Sequence, residues 1–293
     1  MNTLPEVAEA AATGQVRRLY TDIRQVMGVP LVNLVYRHLA TQPEALDWAW
    51  GAVRPHFVSG AVHTQAQALR QAVDGTVGAW GVVFPGHGWP PGLAAVAGAY
   101  SMGNSLNLVA LTALLQAAGG PPGAQADAVV GVVGAAEGAA GPVEPAPASP
   151  ASAPAPLPAL PSLQELPPDV LARIHRLNRF AETGEPSIVA SLYRHLAVWP
   201  GVLRDTEALL APLQQRGALD QARDATAAAA ATLAARQPLA MPPPVVAFEA
   251  FRPRIDQLAR VTIPKMVPVS VLLQRLLAEP CIERRESSAQ PLP

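Results

Sequence analysis

The sequence predicts an all-α protein made of two homologous helical repeats that pack as an intramolecular pseudo-dimer. Half of the 293 residues are hydrophobic and 15% are charged, which is the composition of a folded globular chain. Apolar residues recur at helical spacing, and no segment alternates apolar and polar residues over the length of a strand. The third observation is an internal repeat, because the run YRHLA at residues 36–40 returns at residues 193–197.

This internal repeat predicts the organisation of the chain. At the offset of 157 residues set by the YRHLA run, further identities pair Pro43 with Pro200, Leu46 with Leu203, Pro55 with Pro212 and Gly60 with Gly217. A shift of one residue also aligns Leu114-Leu115-Gln116 with Leu272-Leu273-Gln274. We therefore predict a first repeat at residues 1–120 and a second at residues 169–293, two small bundles that bury their apolar faces together.

Residues 121–168 are predicted to be an Ala/Pro-rich linker between the repeats. Ten prolines lie between Gly141 and Asp169, interleaved with alanine and serine. Such a segment favours extended polyproline II structure over packed helix. A plain spacer is the preferred interpretation, and a binding site for a proline-recognising partner is the alternative.

Within the first repeat we predict a helix that has Pro30 in its first turn. Leu31, Leu34 and Val35 follow at the i, i+3, i+4 spacing of one helical face. The same period predicts two further helices, at residues 45–58 and 64–73. In the second repeat, the same pattern predicts helices at residues 186–196, 221–236 and 269–277.

The segment from Gly75 to Gly92 is predicted to form a loop, because glycine and proline at this density destabilise a helix. Two apolar helices are predicted after it, at residues 93–103 and 106–118, with an interruption at Gly103-Asn104. Asn104 is then expected to cap the second of these helices. Such a helix N-terminus favours an anionic substrate.

Charge and cysteine content exclude several classes of function. Twenty-one basic residues against 22 acidic residues leave no positive excess for nucleic acid, and the single Cys281 excludes an internal disulfide and a cysteine-based zinc site. The first residues lack the basic segment of a secretory signal, and the apolar stretch at residues 106–118 is too short to span a bilayer. We therefore expect a cytoplasmic protein, a monomer or homodimer, without nucleic-acid or membrane partners.

The histidines give little indication of a catalytic or metal-binding site. His38 and His195 are repeated, which favours an equivalent structural role in both halves. Ser191 and His195 stand at i, i+4 and form an alternative nucleophile and base, although no acid is positioned to orient the ring. His56 and His63 lack a nearby carboxylate, so no metal site is predicted.

Several motifs occur in a common order along the chain: Tyr20-x-Asp22-Ile23-Arg24, Val29-Pro30, Leu39-Ala40-Thr41-x-Pro43, Ala99-Tyr100-x-x-Gly103-Asn104 and Trp199-Pro200. Together they resemble the group I 2-haloacid dehalogenases, over the span from Tyr20 to about Leu277. The resemblance implies an all-helical fold of two fused repeats. It also implies hydrolysis of short 2-haloalkanoic acids by direct attack of water, without a covalent ester or a cofactor.

The same resemblance implies which residues form the site. Asn104 falls where the family has its water-positioning asparagine. The substrate pocket is implied at Leu31, Leu34, Asn107, Ser191 and Leu192. Leu192 stands where the family has its catalytic aspartate and cannot accept a proton, and Asn107 stands where a tyrosine is expected. Glu185 is the candidate substitute base nearest in sequence.

Two hypotheses therefore stay open at this point. The chain is either a divergent dehalogenase-like hydrolase that acts on carbon–halide bonds, or a non-catalytic relative that keeps the fold. The second hypothesis predicts binding of a small carboxylate or a purely structural role. The missing acid favours it, because removal of a general base typically lowers a rate by about 10²–10⁴-fold.

Overall fold

The computed structural model describes residues 4–82, 89–119, 157–184, 188–236 and 246–278. Within these ranges the chain consists of helices joined by turns and short extended segments, and it contains no strand. The all-α prediction is confirmed.

In the described part of the first half, five α-helices follow a short 3-10 turn at Glu9–Ala11. These helices are α1 (Gly14–Met27), α2 (Leu34–Leu39), α3 (Pro43–Val58), α4 (Ala61–Gly78) and α5 (Leu93–Gly119).

The second half opens with a 3-10 turn at Leu163–Glu165. Its α-helices are α6 (Pro168–Asn178), α7 (Ser191–Leu196), α8 (Pro200–Gln215), α9 (Ala218–Ala235), α10 (Val246–Glu249), α11 (Arg252–Gln257) and α12 (Ile263–Ala278). A π-helical turn at Leu258–Thr262 joins α11 to α12.

Three consecutive helices of the first half match three of the second in length. Helices α2 and α7 have 6 residues, α3 and α8 have 16, and α4 and α9 have 18. The glycines at the start of α4 and α9 are both left-handed, with φ of 78° at Gly60 and 71° at Gly217. The sequence repeat therefore corresponds to the same succession of local structures.

Two long helices from each half share one core. Helices α4 and α5 of the first half and α9 and α12 of the second each contact the other three. The continuous helical stretch Arg252–Ala278 is long and apolar enough to cross a membrane, but 72% of its most apolar window is buried inside the protein. Its apolar character is therefore accounted for by its place in this core.

Helix α5 corrects one prediction. It runs without a break through Gly103-Asn104, so Asn104 is not a helix cap and the predicted anion seat at a helix N-terminus does not exist. A glycine inside a helix costs about 1 kcal/mol, which the burial of the surrounding apolar side chains outweighs at about 1.5–3 kcal/mol each. Gly103 also makes room for Asn33, because a Cβ there would lie 2.9 Å from Asn33 Oδ1.

Several helix boundaries differ from those predicted: the helices predicted at residues 186–196 and 269–277 are Ser191–Leu196 and Ile263–Ala278, and two differences in the first half have a tertiary cause. Helix α2 begins at Leu34 rather than Pro30, and in the extended segment before it the Val32 N–H donates to Glu9 Oε1 at 2.8 Å. Helix α4 continues through Gly75 to Gly78, because Val77 in this last turn is buried against the core. Neither cause is visible in the local sequence.

Most of the predicted linker, residues 121–156, lies outside the described residues. Its last part packs on α7, where Pro158 O accepts from His195 Nε2 at 2.8 Å and Pro161 O accepts from Arg194 Nη2 at 2.9 Å. The end of the linker segment is therefore fixed to the second half.

Candidate functional site

A small cavity lies where α2, α5, α7 and α12 meet. Its volume is about 40 Å³, counted as space open to the centres of water molecules. Since one water needs about 10–15 Å³ by this measure, the cavity has room for about three waters or a small organic molecule. It is lined by Asn33, Leu34, Val35, Tyr100, Asn104, Asn107, Ala190, Ser191, Leu192, Leu258, Thr262, Ile263 and Met266.

The lining comes from equivalent positions of the two sequence repeats. At the offset of 157, residues 33–35 correspond to residues 190–192, and both segments line the cavity. At the offset of 158, Tyr100 corresponds to Leu258 and Asn104 to Thr262, which also line it. The cavity therefore lies between matching surfaces of the two halves, and their side chains have diverged.

Helix α5 supplies most of the polar wall. Tyr100, Asn104 and Asn107 stand at i, i+4 and i+7, so they share one helical face. All three side chains are at least nine-tenths buried. The continuity of α5 through Gly103 is what keeps these residues on the same face.

The structure brings together five of the six site residues implied by the resemblance. Asn104, Asn107, Leu34, Ser191 and Leu192 all line this cavity. The sixth residue lies on a larger neighbouring cavity.

That neighbouring cavity, of about 550 Å³, is lined by Leu31 together with Glu6, Arg37, Arg194 and His195. Tyr100 lines both cavities.

The smaller cavity is electrically neutral among the described residues, because no Asp, Glu, Lys, Arg or His there lines it. Its titratable side chain is Tyr100, and burial raises the pKa of this phenol above its usual value. Tyr100 therefore stays protonated at neutral pH and is a hydrogen-bond donor rather than a base. The candidate substitute Glu185 lies outside the described residues.

Tyr100 forms a hydrogen bond with His195, which lines the larger cavity but not the smaller one. The His195 Nε2 lies 2.8 Å from Pro158 O, and a carbonyl only accepts, so the proton is on Nε2. His195 Nδ1 consequently accepts from the Tyr100 hydroxyl at 2.9 Å. Burial lowers the pKa of His195, which keeps the ring neutral.

Ser191 is held by Arg37 and not by His195. Arg37 Nη2 donates to Ser191 Oγ at 3.0 Å, while its Nε donates to Glu6 Oε2 at 2.7 Å. No described residue accepts the hydrogen of this serine hydroxyl. The alternative of a Ser191–His195 nucleophile and base is wrong, because His195 Nδ1 accepts from Tyr100 and its Nε2 donates to Pro158 O, so neither ring nitrogen is available to Ser191.

His38 and His63 contact backbone carbonyl groups. His38 Nδ1 lies 2.7 Å from Pro5 O, which repeats the histidine-to-proline contact of His195. His63 Nε2 lies 3.4 Å from Met27 O. Among the residues that the structure describes, no group of three His, Cys, Asp or Glu could hold a metal ion.

Two amide oxygens on the cavity lack hydrogen-bond partners within the described part of the chain. They are Asn33 Oδ1 and Asn107 Oδ1. The Asn107 Nδ2, in contrast, donates to Gly103 O at 2.7 Å. Sequence reasoning missed Asn33, Thr262 and Leu258, although the repeat offset carries the signal for the last two.

Comparison with known proteins gives matches of two kinds. No family model matches the chain. An (R)-2-haloacid dehalogenase of Pseudomonas putida is 39% identical over 68 residues, which are 22% of this chain and 23% of that protein. The aligned segment therefore spans less than a quarter of the relative.

The structural matches cover almost the whole chain. A solved D-2-haloacid dehalogenase mutant superposes with a TM-score of 0.67 at 18% identity, over 93% of this chain and 95% of that one. A mutant in complex with D-2-CPA gives 0.65 at 17% identity over the same shares, and a complex with L-LA gives 0.61 at 18% over 94% and 93%. These matches establish the fold, and with the sequence match they support the relationship to the group I 2-haloacid dehalogenases that the motifs indicate.

Proposed function

We propose that the chain is a 2-haloacid dehalogenase-like protein whose small cavity binds a short 2-haloalkanoic acid and hydrolyses it slowly. The relatives supply the ligand class, since their names describe enzymes that act on 2-haloacids. One observation carries the proposal: Asn104 and several apolar side chains line the same cavity, and Leu192 lies there instead of an acidic residue.

The residues around the cavity suit direct attack by water. The water oxygen forms a bond to the α-carbon while the carbon–halogen bond breaks, the halide leaves with the bonding pair, and one proton is released. The Asn104 amide holds the water, and Leu34, Val35 and Met266 surround the halogen. The Ser191 hydroxyl, polarised by Arg37, donates to the carboxylate of the substrate.

No described residue on the cavity is suited to take up the proton that the attacking water releases. Leu192 has no acceptor, and Tyr100 is a protonated donor whose hydroxyl is committed to His195. Loss of a general base lowers a rate by about 10²–10⁴-fold. We therefore expect hydrolysis to be slower by this factor than in an enzyme with a carboxylate at position 192.

A second candidate function is binding of a small carboxylate without turnover. The observation that favours it is the neutral lining, since no described residue on the cavity is a base at neutral pH. The two candidates predict the same affinity and differ in halide release.

One experiment separates them. Purified protein is incubated with (R)- and (S)-2-chloropropionate, chloride release is followed, and thermal stabilisation by both acids and by propionate is measured in parallel. Slow release that is lost in Asn104→Ala supports hydrolysis. Stabilisation without release supports binding alone, and neither signal refutes both functions.

Leu192→Asp tests whether the base alone is missing. We expect it to raise chloride release by about 10²-fold or more. Leu192→Asn is the matched control, because it has the same size and polarity but accepts no proton at neutral pH. Equal rates in the two variants contradict the assigned role of position 192.

A further inference from the structure

We propose that Leu34 is the specificity-determining residue that limits the small cavity to short carboxylic acids, because its side chain separates this cavity from a third one. The proposal rests on the proposed function, since it takes the same cavity and the same carboxylate-bearing ligand. It adds which residue sets the length of that ligand.

The third cavity has a volume of about 250 Å³, and its apolar lining residues include Leu4, Leu163 and Val189. Among the described residues, Leu34 alone lines both this cavity and the small one. Both cavities therefore come within contact distance of the same residue.

Leu34 is also the residue at which the small cavity is least shielded from solvent. It is half-buried, whereas every other described residue on the small cavity is buried. A ligand that outgrows the small cavity therefore meets the least resistance past Leu34.

Tyr100 is the corresponding residue towards the 550 Å³ cavity, but it is held more firmly. It is 3% exposed, and its hydroxyl donates to His195 Nδ1 at 2.9 Å. Displacing its ring would break this bond, whereas the side chain of Leu34 has no polar atom and no hydrogen bond to lose. The limit on ligand length therefore lies at Leu34 rather than at Tyr100.

The backbone around Leu34 is held by contacts that its side chain does not make. Leu34 is the first residue of α2, and Arg37 lies one turn later. Arg37 Nη1 donates to Val32 O at 2.8 Å, and its Nη2 donates to Ser191 Oγ at 3.0 Å. Leu34→Ala therefore removes three carbon atoms and leaves the serine that receives the ligand carboxylate in place.

The volumes of the two cavities determine what this truncation changes. The small cavity, at about 40 Å³, holds a small organic molecule, and additional methylene groups in a closed and packed space force its walls apart. The third cavity supplies about 250 Å³ and apolar side chains that suit an alkyl chain. Each methylene group that becomes buried there should raise the affinity by about 4-fold.

The test measures dissociation constants of propionate and octanoate by calorimetry on the full chain and on two variants. Leu34→Ala and Leu258→Ala remove the same atoms from the lining of the small cavity, but Leu258 does not line the third cavity. Either truncation makes room for about three carbon atoms, and octanoate has five methylene groups more than propionate. Octanoate therefore fits only where the two cavities are joined.

We expect Leu34→Ala to bind octanoate at least about 10-fold more tightly than propionate. The unmodified chain and Leu258→Ala should bind octanoate no more tightly than propionate. In Leu34→Ala, 2-chloropropionate should displace octanoate, because both acids place their carboxylate in the small cavity.

Equal ratios of the two dissociation constants in the two variants overturn the assignment of Leu34, and so does octanoate that 2-chloropropionate fails to displace. Tighter binding of octanoate than of propionate by the unmodified chain overturns it without any variant, so the proposal stays testable where a variant does not fold. Absence of propionate binding to the unmodified chain refutes the proposed function itself, on which this proposal rests.

Discussion

Glu6 joins the two halves, because its carboxylate accepts from one arginine of each repeat. Arg37 Nε donates to Glu6 Oε2 at 2.7 Å, and Arg194 Nη1 donates to Oε1 at 3.0 Å. The arginine side chains are 5% and 13% exposed and that of Glu6 is 19% exposed. Burial raises the pKa of Glu6, but the two guanidinium groups outweigh it, so this pKa lies below its usual value.

Glu6→Ala should therefore destabilise the protein by about 3 kcal/mol. Removing one partner of a buried ion pair costs about 3–5 kcal/mol, and the low end applies because water reaches part of the Glu6 side chain. Urea unfolding followed by far-UV circular dichroism measures the difference. Asp256→Ala, which removes an exposed pair with Arg260, is the control and should cost less than about 1 kcal/mol. Equal costs in the two variants would refute the reasoning.

Gly60→Ala and Gly217→Ala should each lower the free energy of unfolding by about 1–2 kcal/mol, because both positions are left-handed. No other atom lies within 3.9 Å of the new Cβ, so the backbone conformation alone sets this loss. Thermal unfolding of the single and double variants checks that the two losses are equal and additive. Lys265→Met should cost about 3–5 kcal/mol, because it leaves the buried Glu182 without its 2.5 Å donor. The double variant with Glu182→Gln should recover part of this, and no recovery would argue against the pair. Stability should also fall as the pH drops below about 6.5, because burial lowers the pKa of His195 and the unfolded chain then binds the proton first. His195→Gln should flatten that slope in denaturation curves recorded at several pH values.

The helices and the repeat could be predicted because their signals are local. Pro43 and Pro200 begin α3 and α8, where the fixed φ and the missing N–H of proline suit a first turn. Gly60 and Gly217 mark the left-handed turns that follow. Such residues restrict their own backbone, so their meaning does not depend on distant parts of the chain.

The errors lie where tertiary packing overrides local preference. Gly103-Asn104 has the local character of a helix start, yet the burial of α5 carries the helix through it. Pro30 and Leu31 have helical spacing, but the Val32 N–H is taken by Glu9 from the N-terminal segment, and the helix begins later. Both outcomes depend on contacts between residues far apart in sequence.

In the candidate site too, some residues could be predicted from local sequence and others depend on tertiary contacts. Asn104 and Leu192 could be placed from motifs, and Thr262 could have been found by carrying the repeat offset onto Asn104. Asn33 could not, because its place depends on the absence of a side chain at Gly103, 70 residues away. The orientation of Asn107 is likewise fixed by a bond that exists only because α5 is continuous.

The divergence of the two copies is what makes the cavity able to orient a ligand. Two identical halves would present the same groups at both ends of a shared cavity, whereas a 2-substituted acid has a carboxylate at one end and a different group at the other. Here Ser191 faces the cavity in one half where the other has Leu34, and Asn104 faces it where the other has Thr262. Segments at matching sequence positions enclose the cavity from both halves, and their different side chains make its two sides unlike. Ser191→Ala should therefore weaken carboxylate binding without filling the cavity, and unchanged affinity would show that the carboxylate is held elsewhere.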